Sequence, residues 1–132
     1  MNFVKYNANP KNKKTGDCVI RAICTALDKP WEVVYREMFE LALETGYAVS
    51  TKHNYQLYLE RQGYEMCKMP RRADRTRYTV EQFVDAFGKT KTNYILNLAN
   101  HVTCIKEFSL YDIWNCKNKS VGNYWEIKKK GK

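Results

Sequence analysis

The chain has 132 residues, of which 44% are hydrophobic and 14% aromatic, and it carries a formal net charge of +9. This length and apolar content suit a single domain, 1–132, with an ordinary core, and they exclude a disordered chain. The sequence has no signal-peptide core, no membrane-length apolar stretch and no C-x-x-C pair. We therefore expect a cytoplasmic protein with reduced thiols, no metal, no cofactor and no membrane contact.

The first half of the chain is predicted to be helical. Asp17 fits an N-cap, and an apolar helix follows it from Cys18 to about Leu27. A second helix is expected from Pro30 to about Glu44, and a third over 51–62. The residues of the second helix that are predicted to face inward are Trp31, Val34, Tyr35, Met38, Leu41 and Ala42.

The second half changes from helical to strand-like character. A short strand is expected at 64–69, and Thr79 with Gln82 predicts a capping box that opens a fourth helix. Helices followed by an antiparallel C-terminal sheet make an α+β fold. The strand-like segments of that sheet are 94–98, 102–105, 110–114 and 124–127.

Positive charge is concentrated at 11–14, 71–77 and 128–132. Such runs attract acidic proteins or nucleic acid, and they are also typical of solvated loops; 128–132 is predicted to be a frayed basic tail. Nucleic acid is the less favoured partner, because no RRM-type aromatic motif, helix-turn-helix signature or finger spacing is present. The candidate binding residues of the basic loop are Arg71, Arg72, Arg75 and Arg77.

Three residues that are distant in sequence carry the chemistry: Cys18, His101 and Asp112. A helix N-terminus favours a thiolate, and an imidazole can take the thiol proton. A tight turn centred on Lys106-Glu107 would place His101 directly opposite Asp112. The carboxylate would then accept Nδ1–H of the imidazole, and Nε2 would face the thiol. A register shift of one residue would separate the two side chains, and each residue alone also has a purely structural interpretation.

The segments Thr15-Gly16-Asp17-Cys18-Val19-Ile20-Arg21-Ala22-Ile23, Asn100-His101-Val102-Thr103, Tyr111-Asp112-Ile113-Trp114-Asn115 and Gly122-Asn123-Tyr124-Trp125 resemble small papain-like cysteine peptidase domains of bacteria and phages. The resemblance implies a papain-like fold with Cys18 as nucleophile, His101 as general base and then acid, and Asp112 as orienting residue. Papain-like enzymes usually place a glutamine six residues before the nucleophile as an oxyanion donor. Asn12 stands there, with Asn9 as a substitute, and an ordinary loop asparagine is the alternative.

The predicted function is thus a cysteine hydrolase that acts by acyl transfer on a peptide, isopeptide or amide bond. Its substrate would be a protein or peptide, and the charge is compatible with an acidic one. Two alternatives remain open: a non-catalytic or weakly catalytic papain-fold binding or inhibitor protein of phage type, and a basic nucleic-acid-binding module. Cys104 is expected to face away from His101, and His53 is expected at the surface.

Overall fold

A computed structural model describes residues 1–128, which form four helices and a five-stranded mixed sheet in an α+β arrangement. Apart from Lys128, the predicted basic tail lies outside the described residues. No helix within 1–128 combines the length and the apolar character that crossing a membrane requires. The elements are β1 (Asn2–Lys5), α1 (Cys18–Leu27), α2 (Trp31–Thr45), α3 (Lys52–Arg61), α4 (Val80–Phe87), β2 (Thr92–Leu98), β3 (His101–Lys106), β4 (Ser109–Asp112) and β5 (Tyr124–Lys128).

The sheet order is β1-β4-β3-β2-β5. The pairs β4-β3, β3-β2 and β2-β5 are antiparallel as predicted, but β1 pairs parallel with β4, so the prediction of a purely antiparallel sheet was wrong. The sequence gives no clear strand signal at β1. Only Phe3 and Val4 of its four residues are partly buried, so the segment shows no alternation of apolar and polar residues. The predicted strand at 64–69 is also absent. Cys67 makes one isolated β-bridge to Tyr124, the first residue of β5, and the pairing does not extend into a ladder.

Apolar side chains cover both faces of the sheet, because successive residues of a strand point to opposite sides. Cys104 of β3 packs with α1, α2 and α3 in one buried cluster, whereas Ile105 packs with α4 in the other. Cys104 therefore faces the side opposite to that of Ile105 and His101, as predicted. The largest fully buried side chains are Trp125, Tyr94, Phe83, Ile20, Ile23 and Met38.

The helix boundaries follow the predicted signals closely. The capping box is present at α4, where Thr79 accepts from the backbone of Gln82 and the Gln82 side chain accepts from Thr79 N. Gly46, with φ of 80°, ends α2 in the left-handed region that suits glycine. Tyr35 was predicted to face inward, but it is 44% exposed. Its ring instead stacks at the surface of α2 on the ring of Trp31, which lies one helical turn earlier.

Candidate active site

Cys18 is the first residue of α1, and it is partly buried. The helix begins there because Val19, Ile20 and Ile23 bury in the core, whereas the preceding residues 11–16 are exposed. The first N–H groups of a helix have no partner within it, and they carry the positive end of its dipole. The thiol therefore stands where the local field favours a thiolate.

The strands β3 and β4 bring His101 and Asp112 together, although not as direct partners. The two turn residues are Glu107 and Phe108, with φ of 47° and 71°, so the predicted turn centre at Lys106-Glu107 was one residue early. The observed pairing, Cys104 with Tyr111 and Ile105 with Leu110, continues to place Thr103 opposite Asp112. His101 is thus a diagonal neighbour of Asp112. The register differs from the prediction by two residues, which preserves the shared face.

The carboxylate of Asp112 is buried and fully engaged. Its Oδ2 lies 2.6 Å from His101 Nε2 and accepts from Thr103 Oγ1 at 2.6 Å, while Oδ1 accepts from the Ile113 backbone at 2.7 Å. Burial alone would raise the pKa of Asp112, but the hydrogen bonds to His101 and Thr103 lower it. The prediction that Nδ1 would contact Asp112 was wrong, because the diagonal approach brings the distal ring nitrogen, Nε2, to the carboxylate.

The thiol of Cys18 lies close enough to the imidazole of His101 for each group to shift the pKa of the other. Burial by itself would raise the pKa of Cys18, but hydrogen bonds from His101 and the Val102 backbone outweigh it. Together with the positive charges of His101 and Arg21, they lower the pKa below its ordinary value of 9.0. Burial would also lower the pKa of His101, but its hydrogen bonds, first of all to Asp112, raise it from 6.5 to about 11. Both shifts favour transfer of the thiol proton to the ring.

Arg21, which the sequence reasoning did not single out, joins the nucleophile's turn to Asp112. It is 7% exposed, its Nη1 pairs with Asp17 Oδ1, and its Nη2 lies 3.9 Å from Asp112 Oδ1. Asp17 occupies the N-cap position without making a side-chain cap. Instead its Oδ2 accepts from Asn9 Nδ2 at 3.3 Å and Trp31 Nε1 at 3.0 Å. The i, i+4 spacing of Asp17 and Arg21 was the available signal.

A second thiol, Cys116, also borders the site. Its Sγ lies 3.8 Å from Asp112 Oδ2, and it hydrogen-bonds His101. His101, Asp112 and Cys116 offer nitrogen, oxygen and sulfur atoms within 4.8 Å of one another, a donor set that suits Zn²⁺. However, His101 Nε2 and Asp112 Oδ2 are 2.6 Å apart and hydrogen-bonded to each other, so these two atoms are already engaged without a metal ion. The Trp114 ring packs on the imidazole, with ring centroids 5.0 Å apart.

The residues before Cys18 form a hydrogen-bonded loop rather than a flexible stretch. Asn7 Nδ2 donates to the Lys13 carbonyl at 2.9 Å, and Asn9 Oδ1 accepts from the Lys11 backbone at 2.9 Å. Asn12, the predicted oxyanion donor, is exposed with φ of 52°, and its Oδ1 accepts from Asn7. The side-chain amide that contacts the turn of Cys18 belongs to Asn9, which is 7% exposed.

The four arginines of the predicted basic loop are exposed at a small bridged turn. Arg71 bridges Arg77 through the backbone, and its Nη1 donates to the Arg75 carbonyl at 3.0 Å. Arg72 N donates to the Thr76 carbonyl at 2.8 Å. Arg77 Nε donates to the Val121 carbonyl at 3.2 Å, so this arginine holds the loop against the segment before β5. Arg71, Arg72 and Arg75 keep their charges at the surface.

The structure thus brings a thiol from α1, an imidazole from β3 and a carboxylate from β4 into one cluster, in which the imidazole and the carboxylate are 2.6 Å apart. The protein sequence matches no protein-family model, no curated protein and no solved structure. The chemical capacity of the site therefore follows from its own geometry. A thiolate, a ring able to exchange one proton and a carboxylate that fixes the ring are the requirements of nucleophilic acyl transfer.

Proposed function

We propose that the protein is a papain-like cysteine hydrolase that cleaves a peptide, isopeptide or amide bond. The observation that carries the proposal is the proximity of Cys18, whose pKa is lowered by His101, to an imidazole whose Nε2 is 2.6 Å from a buried carboxylate. Other thiols of the chain have the opposite environment: burial raises the pKa of Cys24 to about 11 and that of Cys104 still further. A thiol whose pKa is lowered despite burial is suited to catalysis.

The reaction follows from the protonation states. The Cys18 thiolate attacks the carbonyl carbon, a C–S bond forms, and the carbonyl electron pair moves to oxygen. The His101 imidazolium then donates its proton to the leaving nitrogen as the C–N bond breaks, which leaves a thioester. Water attacks the thioester while His101 takes its proton. The C–S bond breaks, the acid is released and the thiolate–imidazolium pair is restored.

The oxyanion would be held by N–H groups at the start of α1. The backbone N–H of Cys18 is one donor, because the first amides of a helix have no partner within it. We assign the second donor to Asn9 rather than to Asn12, since Asn9 Nδ2 already contacts Asp17 beside the nucleophile. Removing one such donor lowers the rate of acyl transfer by about a hundred- to a thousand-fold. Asn9→Ala should therefore depress turnover more than Asn12→Ala.

Alkylation by a low dose of iodoacetamide, followed by mass spectrometry of the modified residue, tests the proposal. A thiol with the ordinary pKa of 9.0 is about 1% ionised at pH 7, so a wild-type thiolate should react faster than a neutral one. A thiolate of lower pKa is intrinsically less nucleophilic, which removes part of this advantage. We expect His101→Gln to slow the alkylation of Cys18 by about ten- to a hundred-fold at pH 7, and Asp112→Asn to slow it as well.

Cys67→Ala is the matched control, because this partly exposed thiol lies outside the site. It should leave the rate at Cys18 unchanged, whereas Cys18→Ala should abolish the fast phase. Equal labelling of Cys18→Ala and wild type would remove the reactive thiol from the proposal. Fast labelling without cleavage of any peptide or amide library would favour the non-catalytic papain-fold alternative.

The exposed guanidinium groups of Arg71, Arg72 and Arg75 favour a second candidate function, the binding of nucleic acid. Binding through phosphates weakens steeply with salt, by roughly one power of concentration for each contact. A salt titration with single- and double-stranded oligonucleotides measures this slope, and Arg72→Gln should reduce it by about one. Weak binding without a slope would leave the basic loop as a solvated surface.

A further inference from the structure

A cleft of about 700 Å³ opens beside the turn that carries Cys18. Gly16 and Asp17, which immediately precede the nucleophile, form part of its wall. The volume lies in the range of ligand-binding clefts, which are typically about 300–1,000 Å³. The other lining residues that matter here are Lys11, Lys13, Lys14, Ile20, Trp31 and Tyr35.

One wall of the cleft is positively charged. Lys11, Lys13 and Lys14 are all exposed there, and Glu32 is the acidic residue on the α2 side. The Asp17 carboxylate also lines the cleft, but its negative charge is neutralised by the ion pair with Arg21, so it repels an anionic ligand less than Glu32 does. The balance of charge at the cleft therefore favours an acidic ligand.

The opposite wall is aromatic. The rings of Trp31 and Tyr35 stack with centroids 5.0 Å apart and planes inclined by 24°. The indole is fixed to the nucleophile's turn, since Trp31 Nε1 donates to Asp17 at 3.0 Å. Tyr35 remains 44% exposed, which leaves apolar surface for a ligand side chain. Rigid aromatic groups of this kind provide contact area at a low entropic cost.

The lysine wall is held in a defined arrangement. Asn7 donates to the Lys13 carbonyl and Asn9 accepts from the Lys11 backbone, and Asn9 is in turn bonded to Asp17. The backbone that carries the lysines is thus tied to the residue beside the nucleophile. A site that is ordered before binding loses less entropy when its ligand arrives.

We propose that this cleft binds the substrate, and that the substrate segment is an acidic peptide. Its carboxylates would lie against Lys11, Lys13 and Lys14, and an apolar side chain would pack on Tyr35. This inference rests on the proposed function, because the cleft would deliver the peptide carbonyl to Cys18. A peptide is favoured over nucleic acid as occupant, since a nucleic acid offers no acyl carbon to Cys18, the residue that follows Asp17 of the cleft wall.

Peptidyl chloromethyl ketones provide the test. Reagents with Glu, Gln or Lys at otherwise identical positions are compared by their second-order rates of Cys18 alkylation at low salt. We expect the Glu reagent to react about ten-fold faster than the Gln reagent, and the Lys reagent to be the slowest. The triple substitution Lys11→Gln/Lys13→Gln/Lys14→Gln should abolish this preference, and it should leave the iodoacetamide rate unchanged.

A second triple substitution, Lys89→Gln/Lys91→Gln/Lys128→Gln, is the matched control, because it changes the net charge equally at exposed positions outside the cleft lining. It should retain the preference. Equal loss in both triples, or no preference in the wild type, would overturn the proposal. The proposal would also be overturned if an oligonucleotide protected Cys18 from the Glu reagent more strongly than an unreactive acidic peptide did.

Fluorescence anisotropy of a labelled acidic peptide amide separates this inference from the proposed function. The peptide contains no electrophile, so its binding does not depend on the reactivity of Cys18. Binding that is lost in the cleft triple and kept in the control triple supports the cleft even if iodoacetamide fails to label Cys18. Labelling of Cys18 by iodoacetamide without any binding of the peptide would refute the proposal that the cleft binds the substrate, and it would leave the proposal of a reactive thiol unaffected.

Discussion

The opposite pKa shifts of His101 and Cys18 predict a particular dependence of the free energy of unfolding on pH. In the unfolded chain, His101 and Cys18 titrate near their ordinary pKa values of 6.5 and 9.0. In the folded protein, the pKa of His101 is raised to about 11 and that of Cys18 is lowered. His101 alone would lose stability as pH rises from 6.5, whereas Cys18 alone would gain stability up to pH 9.0.

Where these two intervals overlap, below pH 9.0, the slopes cancel, because the pair holds one proton in both states. In the folded protein that proton is on the ring, and in the unfolded chain it is on the sulfur. Above pH 9.0 only the folded protein keeps the proton, up to about pH 11. Stability should then fall by about 1.4 kcal/mol for each pH unit, or about 2–3 kcal/mol in all.

Urea denaturation between pH 7 and 11 measures this dependence. The reference is Cys18→Ser/His101→Gln, and the difference between the two profiles removes the contribution of the other titrating groups. We expect a flat difference up to about pH 9 and a decline beyond it. A decline that is already under way at pH 7 would mean that the imidazolium stands beside a neutral thiol. A difference without any pH dependence would mean that both groups keep their ordinary pKa values in the folded protein. Either result would refute the ion pair.

Two further predictions concern stability alone. Arg21→Met should lower the free energy of unfolding by about 3 kcal/mol, because it leaves the buried carboxylate of Asp17 without its cation and removes a positive charge 3.9 Å from Asp112; Arg21→Lys should lose less. Urea denaturation at pH 7 measures both, and a loss below about 1 kcal/mol for Arg21→Met would contradict the pairing. Thr79→Ala should cost about 1 kcal/mol by removing the N-cap of α4, measured as a lower Tm, whereas the exposed Thr90→Ala should be neutral.

The sequence was sufficient for the elements whose signals are local. Apolar spacing from Val19 to Leu27, the glycine that ends α2 and the Thr79–Gln82 capping box each predict a boundary that the structure confirms within a residue or two. The sheet face shared by His101 and Asp112 was also predictable, because alternation along a strand survives a register error of two residues.

The features that the sequence did not indicate depend on pairing between distant segments. Parallel pairing of β1 with β4 has no local sequence signature. The turn at Glu107-Phe108 has positive φ at both residues, yet it contains neither glycine nor asparagine, the residues that usually mark such a turn. The burial of Arg21 could not be deduced either, because an arginine in a helix is ordinarily solvated and only the meeting of α1 with β4 encloses it.

The joining of Asp17 to Asp112 through a single guanidinium has a consequence for the order of events during folding. The sulfur and its proton acceptor come from opposite ends of the chain, and Arg21 reaches across only after α1 has docked on the completed sheet. The contacts that lower the pKa of Cys18 are therefore acquired only with tertiary structure, and without them the pKa of the thiol returns to its ordinary value of 9.0.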